Sequence, residues 1–187
     1  MTLTKSLLRV ALATAFLLLI PLVAMQFSQE MKWDLADFVI AGVLLFGTGL
    51  TYVVVSRMGN TTSYRLGAGV AVLAGLLLIW INLAVGFLGS ENNPANLLFG
   101  AVLVVASVGA LVARFRPLGM SRAMFGAALT YVVVTAIALF VWKPTGAAAE
   151  PAVHLLNVLV ANGVFAALWV AAGWLFRRAS NTGAQYA

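Results

Sequence analysis

Six long apolar segments, separated by short polar loops, dominate this chain. They run approximately 7–27, 36–56, 66–89, 95–115, 121–142 and 152–176. Each is long enough, at 1.5 Å rise per residue, to cross a hydrocarbon core of about 30 Å as an α-helix. The joining stretches QEMKWD, RMGNTTSYR, SENNP, RFRPLGMSR and KPTGAAAEP hold Pro, Gly, Asn and charge. Lipid cannot satisfy a bare peptide group, so a spanning segment must be a helix or part of a closed barrel. The apolar runs are continuous and lack the alternation of a barrel strand. The expected fold is all-α: a polytopic membrane bundle of six transmembrane helices, forming a single domain over residues 1–187.

Composition agrees. The 187 residues are 63% hydrophobic and 9% charged, against about 25% charged in a soluble domain. So few charges could not cover a water-facing surface. The first segment follows Lys5 and Arg9, as a signal peptide would. Its length and the lack of a small-x-small site near its end make an uncleaved helix the expectation. Pro21 within it should kink the helix or free the Leu17 carbonyl.

The charges divide by side. Lys5, Arg9, Arg57, Arg65, Arg114, Arg116, Arg122, Arg177 and Arg178 share one side of the six-span topology. The other side has Lys32 and Lys143 together with all five carboxylates: Glu30, Asp34, Asp37, Glu91 and Glu150. The positive-inside rule then places both termini in the cytoplasm. Topology accounts for the net charge of +6 without nucleic acid, whose binding calls for a basic polar face.

This partition leaves no acidic residue inside the bilayer. Intramembrane charge is the usual mark of a proton path or ion path, so a proton-coupled pump is disfavoured. With no Cys and one His, thiolate metal sites and cysteine catalysis are excluded. No Ser–His pair, HExxH or paired aspartates at depth appear, so intramembrane protease chemistry is not expected. The chain reads as a non-enzyme without cofactor.

What the interior offers is neutral. Ala68, Ala71, Gly75, Leu78, Asn82, Gly86 and Gly89 recur on one face of the third span. Small residues there permit close helix approach, with Asn82 as interhelical glue or as a polar group in a solute path. Asn157 and Asn162 in the sixth span need partners if buried. With Asn82, Tyr52 and Tyr131 they form the candidate pathway or cavity. A second candidate, for an outer ligand or partner, is Glu91, Asn92, Asn93 and His154. Its plainer reading is a capped hairpin beside an interfacial histidine.

An eleven-residue string occurs twice. FGTGLTYVVVS (46–56) and FGAALTYVVVT (125–135) fall in the second and fifth spans. They would be counterparts in an inverted three-plus-three repeat. The first ends beside Arg57 while the second lies near mid-span, whereas inverted copies should lie at mirrored depths.

The strings WINLAVGFLGSENNPANLLF (80–99), ARFRPLGMSRAMF (113–125) and ALWVAAGWLFRRA (167–179) resemble a family of small bacterial multi-pass inner-membrane proteins. Its mark is W-x-N-L-A-V-G-x-x-G-S-E-x-N-P-A-N-L. The resemblance implies a bacterial inner membrane and brings no activity or catalytic residue. The expected function is transport or permeation of a small neutral or weakly polar solute. The alternative is a non-catalytic accessory subunit of a larger membrane complex. Expected partners are membrane lipids, with a homo-oligomer or a membrane-protein partner open and no nucleic acid.

Overall fold

A computed structural model of the chain describes residues 2–27, 32–84, 94–140 and 152–184, without the side chains of 94–95, 139–140, 152–159 and 183–184. Every regular element among them is helical: α1 (Leu3–Phe27), α2 (Leu35–Ser56), α3 (Thr62–Ala84), a 3-10 helix (Pro94–Phe99), α4 (Gly100–Val112), α5 (Pro117–Phe140) and α6 (Ala152–Ala184). Five helices are long and apolar enough to cross a membrane, and α4 is a shorter apolar helix. The chain is thus a multi-pass α-helical membrane protein, and its helices fall into two compact units, 1–55 and 56–187.

In the first unit α1 and α2 run antiparallel. Leu18 of α1 lies against Gly42 of α2, and Val10 lies against Gly49. Asp34 and Asp37 start α2 with a reciprocal capping box. The Asp34 N–H donates to Asp37 Oδ2 (2.9 Å) and the Asp37 N–H donates to Asp34 Oδ1 (3.0 Å), satisfying two amide groups that the helix leaves unpaired. Helix α1 continues through Pro21, its one buried residue. The other α1 side chains are half-buried or exposed, so little protein covers this helix.

The second unit is a four-helix arrangement in which α6 packs on α3 and α5, and α5 also packs on α4. Neighbours run antiparallel. Gly67 of α3 meets Leu175 and Phe176 of α6, Gly173 of α6 meets Phe125 of α5, and Gly126 of α5 meets Val105 of α4. Small residues thus receive large ones, as in close helix packing within membranes. Tyr64, Leu78, Phe99, Val102, Tyr131, Trp169 and Phe176 are among the unit's largest fully buried side chains.

The fourth crossing differs from the expected helix over 95–115. It opens as the 3-10 helix and ends at Val112. The tighter winding rises about 2.0 Å per residue, so this shorter α-helix still reaches about 30 Å with its 3-10 lead-in. Its end is a Schellman turn. The Phe115 N–H donates to the Ala110 carbonyl (3.1 Å) and the Arg114 N–H donates to that of Leu111 (2.9 Å). Arg114 (φ 49°) and Phe115 (φ 57°) are both left-handed, so neither can continue the helix. Other bounds move too: α1, α3 and α5 each start four residues earlier than expected, at Leu3, Thr62 and Pro117, with Thr61 Oγ1 accepting from the Tyr64 N–H (3.2 Å) at the start of α3, and α6 continues past Phe176 to Ala184.

Candidate functional site

The polar centre of the second unit lies where α5 crosses α6. Tyr131 Oη donates to Asn162 Oδ1 at 2.9 Å, and Thr135 Oγ1 reaches the same oxygen at 3.3 Å. Tyr131 and Thr135 are one turn apart on α5, so both hydroxyls face the same stretch of α6. Aromatic rings enclose them. Phe165, one turn beyond Asn162, stacks on Tyr131 at 6.0 Å and 9°, and Phe99 meets Tyr131 at 5.3 Å. Tyr131 is 1% exposed and Asn162 7%. A hydrogen bond between two buried side chains there ties the helices together and has no competitor in lipid.

Two further polar atoms have no such partner. Asn82 Nδ2 donates to the Leu78 carbonyl of its own helix at 3.1 Å, while its Oδ1 is buried without a hydrogen bond. Trp169 is 2% exposed, and its Nε1–H is likewise buried and unpartnered. Asn162 and Trp169 are two turns apart on the same face of α6. Trp169 lies on the helix that packs on both α3 and α5. An unsatisfied buried donor or acceptor costs about 1–3 kcal/mol. Among the described residues, the unit therefore holds one buried spare acceptor and one buried spare donor.

The expected site residues separate as follows. Tyr131 and Asn162 meet directly. Asn82 belongs to the same unit but, among the described residues, bonds only its own helix. Tyr52 is in the first unit, on α2, and is 39% exposed. Glu91, Asn92 and Asn93 lie outside the described residues, as do the side chains of His154 and Asn157. Among the described residues no group of three or more His, Cys, Asp or Glu is placed to hold a metal ion.

Sequence reasoning did not single out Trp169 or Phe99, because an aromatic within an apolar span resembles ordinary lipid-facing or core residues. It also missed Tyr64, which sits in a loop-like string. Tyr64 is fully buried, packs edge-on against Phe176 at 5.0 Å and covers Gly59. Its hydroxyl donates to the Phe115 carbonyl at 2.8 Å. One residue thus joins the start of α3, the end part of α6 and the α4–α5 turn. The signal available was Gly59 five residues before a lone Tyr, a small residue beside a ring.

The chemistry this arrangement can perform is hydrogen bonding to an uncharged group. No protein-family model matches the chain, and no curated protein or solved structure matches it.

Proposed function

We propose that this protein is a bacterial inner-membrane protein through which a small neutral or weakly polar solute permeates, using the interior of the α3–α6 unit. The observation that supports this reading is the pair of buried unpartnered atoms, Asn82 Oδ1 and Trp169 Nε1. The two atoms lie on different helices, and a solute or water that donates and accepts hydrogen bonds would complete each separately; nothing charged is needed. The test is osmotic re-swelling of proteoliposomes with urea, glycerol and small amides as solutes. The protein should speed re-swelling for at least one of them, and Asn82→Leu or Trp169→Phe should slow it several-fold. Re-swelling equal to that of protein-free vesicles for the whole panel would refute permeation.

A second reading, an accessory subunit of a larger membrane complex, is favoured by the Tyr131–Asn162–Thr135 contacts. These join α5 to α6 within the bundle and occupy Asn162 Oδ1. It predicts migration of the native protein with a larger assembly after mild extraction, together with vesicles that remain impermeable. The inner-membrane orientation has its own check: a tag after Ala187 should be reachable only from the cytoplasm.

A further inference from the structure

We propose that the α4–α5 turn, carrying Arg114 and Arg116, is a headgroup site for an anionic phospholipid at the arginine-rich end of the bundle. The positive-inside rule asks only that basic residues lie somewhere on that side. It does not ask for an arginine at this backbone position. Arg114 occupies the left-handed residue that ends the Schellman turn, with φ 49°. Glycine fits that conformation without strain and is the usual occupant. An arginine there carries a backbone cost that glycine would not.

The turn is also held in shape. Phe115, the next residue, is left-handed as well (φ 57°), and the buried Tyr64 hydroxyl holds its carbonyl at 2.8 Å. Strain that the surroundings enforce is a pointer to function. Here it presents the side chains on either side of Phe115, Arg114 and Arg116, both exposed. Neither guanidinium has an ion pair or hydrogen bond among the described residues. The first turn of α5 has no acidic residue to neutralise them.

Two arginines suit a phosphate, since the planar fork donates in pairs to its oxygens. The flanks select the source of that phosphate. Leu111, Val112 and Leu118 are 63%, 78% and 48% exposed, so a charged tip is bracketed by bare apolar side chains. That pattern matches a lipid, with its headgroup on the arginines and its chains against the leucines and the valine. Inorganic phosphate would use only the tip.

Thermal unfolding of the purified full-length protein in neutral detergent tests this. Added phosphatidylglycerol should raise the Tm by several degrees, whereas phosphatidylcholine or inorganic phosphate should not. Arg114→Gly should fold at least as stably as the wild type without lipid and lose most of the phosphatidylglycerol shift. Arg116→Gln should lose part of it, and Arg114→Lys should retain more than Arg114→Gly. Arg177→Gln, at the same end of the bundle, should keep the full shift. The proposal is overturned by equal shifts with both lipids, by a shift from phosphate alone, by a wild-type response in Arg114→Gly, or by equal loss in Arg177→Gln.

Discussion

The chain writes nearly the same string twice, and the two copies meet opposite fates. At 46–56 it reads FGTGLTYVVVS in α2, and at 125–135 FGAALTYVVVT in α5. Locally they behave alike: Thr51 Oγ1 donates to the Gly47 carbonyl at 2.8 Å and Thr130 Oγ1 to that of Gly126 at 2.9 Å. Beyond the helix they differ. Tyr52 is 39% exposed, whereas Tyr131 is 1% exposed and bonded to Asn162. A side chain at Gly47 would meet open space, whereas at Gly126 it would meet Val105. Local sequence sets the helix and its Thr back-bonds, and tertiary packing decides what the tyrosine does.

Substitutions in matched pairs can break this comparison, and the tyrosines should show the largest effect. Tyr131→Ala is expected to destabilise the protein by about 3–5 kcal/mol, as for loss of a large buried aromatic. Tyr52→Ala should stay within about 1 kcal/mol. Equilibrium unfolding in mixed micelles would measure both, and similar values would erase the distinction. Next come the glycines. Gly126→Leu should overpack the α4–α5 contact, at about 1–3 kcal/mol, while Gly47→Leu should be neutral or stabilising by helix propensity.

A smaller effect separates the two asparagines of the second unit. Asn162→Leu strands the Tyr131 and Thr135 hydroxyls and should cost about 1 kcal/mol, in the range of interhelical bonds in membranes. Asn82→Leu should be neutral or stabilising, because it removes an acceptor that has no partner. The smallest effects belong to Thr51→Val and Thr130→Val. Both should fall below about 0.5 kcal/mol and match each other, since each hydroxyl bonds its own helix.

Much of the fold was legible in the sequence because lipid imposes one rule: an apolar run of sufficient length becomes a helix. The starts of α2 and α6 and the end of α1 lie where the apolar pattern changes. The end of α4 does not. Leu111, Val112 and Ala113 look helical, and the Schellman turn closes there with Arg114 in place of the expected glycine. The 3-10 opening of α4 was similarly hidden, since PANLLF carries no mark of tighter winding. Of the candidate site, Tyr131 and Asn162 could be named as costly polar residues, but their pairing depends on the α5–α6 register. Trp169 could not be named at all. A Trp buried within a bundle, as Trp169 is, and one that faces lipid have the same local sequence.

On the proposed permeation reading, Asn82 offers an unpartnered oxygen to a solute, whereas Asn162 is closed by Tyr131 and Thr135. The chain has no cysteine, so a single introduced thiol reports on one position. Asn82→Cys and Asn162→Cys, each reconstituted in vesicles, would be treated with a small membrane-permeant thiol reagent, with Lys5→Cys as the exposed reference. Asn82→Cys is expected to be labelled in the folded protein, more slowly than the exposed reference because the Asn82 oxygen is buried, and Asn162→Cys is expected to be protected until denaturation. If Asn82→Cys is as silent as Asn162→Cys in the folded protein, the interior is dry and the permeation reading is contradicted.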